Sequence, residues 1–132
     1  MPSIIHFEIH VDNAKRAIDF YRSTFGWKIE KWDGPTEAPD YYLVTTKAEG
    51  EPGINGGLLE REGLFPKGDE PIRAFVCTID VPSVDEYMKK IELNGGKVTT
   101  SKMAITGMGW MCYANDTEGN LFGIMENDER AA

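Results

Sequence analysis

The feature that most constrains this chain is that its order of elements occurs twice. At an offset of 70 residues, Ile9 falls on Ile79, Val11 on Val81, Tyr21 on Ile91 and Gly26 on Gly96, with no gap. Toward the ends of the halves an offset of 66 lays Gly57-Leu58-Leu59-Glu60 on Gly123-Ile124-Met125-Glu126, the difference being loop length. Few letters are shared, so what repeats is the order strand, helix, three strands. A half of this size cannot bury a sufficient core alone, and the two halves are expected to pack together. The chain of 132 residues reads as a single domain over 1–132, with one module over about 3–60, a connector over about 61–71 rich in Gly, Pro and charge, and a second module over about 72–126.

Periodicity gives the elements. In Ile4 to Val11 the residues Ile5, Phe7, Ile9 and Val11 alternate with His6, Glu8 and His10, a strand with one apolar and one polar face. Asp12 is placed to cap a helix whose stripe is Ala14, Ala17, Ile18, Tyr21 and Phe25, and Gly26 ends it. Strands are expected over Trp27 to Trp32, Tyr41 to Thr46 and Asn55 to Glu60. The second round runs from a strand over Ala74 to Val81 into a helix opened by Ser83 with Glu86 three residues on, a capping box. Its buried stripe is Val84, Tyr87, Met88 and Ile91, and Gly95-Gly96 stops it. Lys97 to Thr100, Trp110 to Ala114 and Leu121 to Met125 complete the set, and the acidic end from Glu126 to Arg130 reads as a solvated tail.

Composition excludes several classes. Fourteen Lys plus Arg against 22 Asp plus Glu give a net charge of −8, without a basic run. That argues against nucleic acid or anionic membrane as a partner. No apolar stretch approaches the roughly 20 residues of a membrane helix. The N-terminus enters a strand pattern without a basic and then apolar leader, so a cytoplasmic location is expected. Cys77 and Cys112 show no metal or redox spacing and are expected to be buried free thiols.

The stretch His6-Phe7-Glu8-Ile9 through Arg16-Ala17-Ile18-Asp19-Phe20-Tyr21 and Phe25-Gly26-Trp27 resembles the opening of the vicinal oxygen chelate superfamily, which contains glyoxalase I, the bleomycin-resistance proteins and the extradiol dioxygenases. Gly53-Ile54-Asn55-Gly56-Gly57-Leu58 is similar to the fourth strand of its glyoxalase-like members, and Asp116-Thr117-Glu118-Gly119-Asn120-Leu121-Phe122-Gly123 to its closing turn and strand. The resemblance implies an α+β fold of two βαβββ modules, each a half-barrel, forming a cleft. It also implies metal ligands at the cleft-facing positions of the first and last strands of each half. Here those positions fall on His6, on Phe75 or Val76, on Gly57 and on Gly123, so three of four lack a ligand. No metal and no other cofactor is expected, since a divalent catalytic site normally takes about three protein ligands.

The polar face of the first strand offers other chemistry. Residues two apart on a strand are separated by roughly 6.6 Å and those four apart by roughly 13 Å, so His6 and His10 do not reach one ion. His6 and Glu8 can instead line the cleft as an acid/base or hydrogen-bonding pair, the carboxylate favouring and orienting the protonated imidazole. Trp27, Trp32, Tyr41, Tyr42, Trp110 and Tyr113 offer a rim for a planar ligand, with Trp110, after Gly107-Met108-Gly109, the foremost. Asn55 and Gly57 share a strand face and set a small polar group beside a gap; with Gly123 and Trp110 they are the expected binding residues. The expected function is a glyoxalase-like or bleomycin-resistance-like protein that takes a small organic molecule in the cleft, without the full metal site. The alternatives are a lyase or isomerase working through His6 and Glu8, metal-assisted or by acid/base chemistry, and a dimeric interaction module with a vestigial cleft. Glyoxalase I activity itself is not expected, and the resemblance alone implies a homodimer.

Overall fold

The alternation of Phe7, Ile9 and Val11 with His6, Glu8 and His10 is realised in β1 (Ile4–Val11), the first strand of a computed structural model that describes residues 1–35, 38–66, 70–71, 75–118 and 120–132. The chain divides into two compact units, residues 6–75 and residues 1–5 with 76–132. In the first unit β1 leads through α1 (Ala14–Phe25) to β2 (Lys28–Lys31), β3 (Tyr41–Thr45) and β4 (Asn55–Glu60). β1 lies parallel to β4, with His6 opposite Asn55 and Glu8 opposite Gly57. β4 pairs antiparallel with β3, and β3 with β2. The side chains of Phe7, Ile9, Val11, Ile29, Val44 and Leu58 are buried, all at positions whose parity puts them on the same side of the ladder.

The second unit repeats that topology. β5 (Val76–Asp80) leads through α2 (Val84–Leu93) to β6 (Lys97–Val98), β7 (Met103–Ile105), β8 (Gly109–Asn115) and β9 (Leu121–Asn127). β5 runs parallel to β9 with Thr78 opposite Gly123, and β9 pairs antiparallel with β8. Thr78 therefore stands where Glu8 stands and Gly123 where Gly57 stands, the two offsets found in the sequence. Val81, Val84, Cys112 and Ile124 form the buried centre, packed by Tyr87, Met88, Ile91 and Trp110 among others. Burial pushes the Cys112 thiol pKa up, as expected for an inert core cysteine, whereas Cys77 is only half-buried.

Several expectations need correction. Asn13, not Asp12, is the N-cap of α1: its side-chain oxygen accepts the Arg16 N–H at 3.0 Å. Gly26 closes that helix with φ 72°, a left-handed conformation that a glycine adopts without strain. Ser83 caps α2 by accepting the Glu86 N–H, and the helix ends at Asn94, one residue ahead of the glycine pair. Phe25 is 58% exposed and leans on Trp27 and Phe20, while Ala14, Ala17, Ile18 and Tyr21 of the same stripe are half-buried. β7 was not anticipated. Val98 pairs with Ala114 and Met103 with Met111, so β6 and β7 are one strand interrupted by a bulge in which the Thr99 and Thr100 N–H groups both point at the Tyr113 carbonyl.

The acidic end is not a solvated tail. Glu126 accepts the N–H of Val84 at the start of α2, and Asp128 accepts Trp110 Nε1–H at 3.2 Å. Ala131, 2% exposed, takes the Gly107 N–H on its carbonyl. The first residues are likewise tied down, since the Ser3 carbonyl accepts the Asp80 N–H. Residues 67–69 of the expected connector, Ala74 at the expected start of the fifth strand, and Gly119 of the closing turn lie outside the described residues.

Candidate functional site

β1 carries its polar residues on the side of the ladder opposite the Phe7–Ile9–Val11 core, and β3 and β4 add Tyr41, Asn55 and Gly57 to the same side. Glycine at 57 leaves the strand without a side chain there, and the Tyr41 phenol occupies that space. From it the hydroxyl reaches both polar residues of β1. His6 Nε2 lies 2.7 Å from Tyr41 Oη, and the hydroxyl donates to Glu8 Oε2 at 3.0 Å. The His6 and Tyr41 rings are near parallel, 14° apart, with centroids 6.5 Å apart. Two side chains two positions apart on one strand are thus joined through a third from a neighbouring strand.

The environment is poor in water. Glu8 is 6% exposed, a depth at which a carboxylate is retained only with partners. Burial lowers the His6 pKa below its ordinary value, and the nearby Glu8 charge opposes that shift without overcoming it. A consequence for stability follows. The unfolded chain takes up a proton near pH ~6.5 and folded His6 only at lower pH, so the stability His6 confers is complete above that value and lost as pH falls through it. Urea unfolding of the wild type and His6→Gln at a series of pH values is expected to show their difference shifting against the wild type between about pH 7.5 and 5.5. A difference that moves the other way would show that the charged imidazole is the favoured form.

The remaining expected residues serve in different ways. Asn55 sits opposite His6 and is exposed, and its side-chain oxygen accepts the Thr46 N–H at 3.0 Å, which ties β4 to the end of β3. The gap above Gly57 is filled by Tyr41. Gly123 lies beside Thr78 and Tyr113: a methyl built there would stand 3.1 Å from Thr78 Oγ1 and 3.5 Å from the Tyr113 ring. Trp110 falls on the other side of β8, with Cys112 and Ala114. It packs against the α2 core, donates to Asp128 and carries the Lys102 ammonium over its ring at 4.6 Å. His10 keeps its carbonyl on Arg61, whose guanidinium donates to it at 2.9 Å.

Tyr41 is the residue whose role the sequence did not disclose. One of six aromatics that could rim the cleft, it becomes the link because the β3–β4 register sets Leu43 opposite Gly57, which leaves Tyr41 two residues along on the same face. The signal was the glycine: a side-chain-free position beside Glu8 invites a large neighbour from the next strand. At the positions where the family resemblance implies metal ligands, the residues present offer few donors. Val76 is a buried alkyl side chain, Gly57 and Gly123 supply no donor, and His6 Nε2 already meets Tyr41.

Comparison with known proteins agrees with the architecture. Residues 3–124 match the family model described as Glyoxalase/Bleomycin resistance protein/Dioxygenase superfamily. A glyoxylase-like domain-containing protein of Didymella fabae is 28% identical over 119 residues, covering 89% of this chain and 88% of its own. Among solved structures, a hypothetical protein from Bacillus halodurans superposes with a TM-score of 0.68 at 20% identity, covering 99% of this chain and 98% of that one. Methylmalonyl-CoA epimerase of Mycobacterium tuberculosis gives 0.63 at 14%, covering 95% and 87%. The Streptomyces coelicolor epimerase, in complex with 2-nitronate-propionyl-CoA, gives 0.66 at 16%, covering 98% and 97%. These likenesses show the α+β fold of paired βαβββ modules, and the chain belongs to the glyoxalase, bleomycin-resistance and dioxygenase superfamily.

Proposed function

We propose that this protein binds a small organic molecule on the polar face of β1, β3 and β4, with His6, Tyr41 and Glu8 as its polar anchor and without the family's full metal site. The observation that carries the reading is the carboxylate of Glu8, 6% exposed and hydrogen-bonded to a phenol that also meets an imidazole. A buried polar network costs folding free energy relative to packed apolar residues, and such groups concentrate where a ligand is recognised or a proton moved. Epimerases of the same fold are solved with acyl-CoA compounds, which supports a small organic ligand in this architecture. The neutral form of His6 favours a second reading, acid/base catalysis of the lyase or isomerase type in which the imidazole accepts a proton and Glu8 stabilises the resulting charge.

The test is a thermal-shift screen of small amines, planar aromatics, acyl thioesters and 2-oxo compounds against the wild type and Glu8→Gln. A ligand at 100 times its Kd adds about 2.7 kcal/mol to the folded state. At least one compound is expected to raise the melting temperature of the wild type and to lose most of that effect in Glu8→Gln. Equal shifts in both proteins would place the binding elsewhere, and no shift with any compound would count against a binding function.

A further inference from the structure

Among the described residues the hydroxyl of Tyr41 meets His6 Nε2 and Glu8 Oε2, and it has one hydrogen to give. An ionised carboxylate only accepts, and a hydrogen bond to a charged acceptor is about twice as strong as a neutral one, so the phenol hydrogen goes to Glu8 Oε2. The oxygen of Tyr41 then faces His6 Nε2 at 2.7 Å with its lone pairs, and that distance requires a hydrogen on Nε2. A neutral imidazole has a single N–H, so Nδ1 is left as an acceptor. No hydrogen bond to His6 Nδ1 occurs among the described residues.

We propose that Tyr41 fixes His6 as the Nε2–H tautomer, so that the polar face takes ligands presenting an N–H or O–H donor, such as an ammonium or a hydroxyl, to His6 Nδ1 in preference to an anionic oxygen. The ligand half of this proposal rests on the small-molecule reading above; the tautomer half does not. A net charge of −8 draws cationic donors in the same direction. Tyr41 is thereby a positioning residue, acting on the ligand through His6.

Long-range proton–nitrogen correlation spectra of the full chain with labelled histidine, at about pH 8 where an ordinary imidazole is neutral, read the tautomer directly. His10→Gln separates the two histidines. A protonated, pyrrole-like Nε2 and a bare, pyridine-like Nδ1 are expected in the wild type, with that bias lost in Tyr41→Phe while its circular dichroism is unchanged. Protonation at Nδ1, or an unaltered tautomer in Tyr41→Phe, would overturn the assignment. Titration with benzylamine and with benzoate then tests the ligand class: the amine is expected to move the His6 signals with affinity at least about tenfold greater, and tighter benzoate binding would overturn it. If neither probe moves His6 while the tautomer is as expected, the small-molecule reading falls with its ligand class and the role of Tyr41 stands.

Discussion

Leu58→Ala is expected to lower the folding free energy by about 2–5 kcal/mol, the range for deleting a fully buried leucine side chain. Leu58 is 0% exposed. It stands opposite Ile9 on one side and Tyr42 on the other, on the core side of the ladder. Truncation removes the transfer free energy of the lost carbons and leaves a cavity that flanking strands, fixed by their hydrogen bonds, close only in part. Urea denaturation reads the effect, with the midpoint falling and the slope unchanged. A loss under about 1 kcal/mol would mean that Leu58 faces solvent. Because a slip of one residue turns every side chain over, it would also put Gly57 and Glu8 in the core and remove the polar face altogether.

Gly57→Ala, one residue away, is expected to act through Tyr41. The added methyl falls on the phenol, so Tyr41 must leave its place, with a cost of about 1–3 kcal/mol for overpacking. The link between His6 and Glu8 goes with it. A double-mutant cycle separates this from a general dislike of alanine in the strand. In a Tyr41→Ala background the same substitution is expected to cost much less, because the three atoms nearest the methyl all belong to the Tyr41 phenol, and an interaction energy of about 1–3 kcal/mol results. Equal costs in the two backgrounds would show that Tyr41 does not fill the space over Gly57. Gly56 is the contrasting neighbour, since a methyl there stands 2.5 Å from the Phe7 carbonyl, and backbone cannot swing aside as a side chain can.

Much of the fold was legible because the elements are written in local rules. The period-two alternation of β1, the Ser83 cap and the glycine after Phe25 each follow from the sequence within a few residues of themselves. The repeat then fixed the topology, and the pairing of Glu8 with Gly57 and of Thr78 with Gly123 bears it out. What could not be read depends on partners distant in the chain. Asp12 and Asn13 are equally able caps, and only the backbone decides which side chain reaches the Arg16 N–H. The strand at Met103 to Ile105 has a three-residue pattern, too short to register, and exists because β8 is long enough to pair on past the bulge. The acidic end looks solvated by composition, yet Glu126 meets a helix terminus and Asp128 meets an indole, and both partners are far away in sequence.

The site was legible by half. His6 and Glu8 announced themselves as polar residues on a strand whose other face is apolar, and Asn55 and Gly57 followed from the strand beside it. The join between them was hidden, because it requires the register of β3 against β4 and a glycine whose meaning is the side chain that occupies its place. Trp110 had the right residue type but the other parity on β8. A one-residue difference in where a strand starts decides the face of each of its side chains.

The most direct test of the central claim is amide chemical-shift mapping with a compound that stabilises the protein in the thermal screen. The expected result is a set of perturbations centred on His6, Glu8, Tyr41, Asn55 and Gly57, reduced to background in Glu8→Gln at the same ligand concentration. Perturbations centred on other residues, or unchanged by the loss of the Glu8 carboxylate, would contradict the assignment of this face as the binding site.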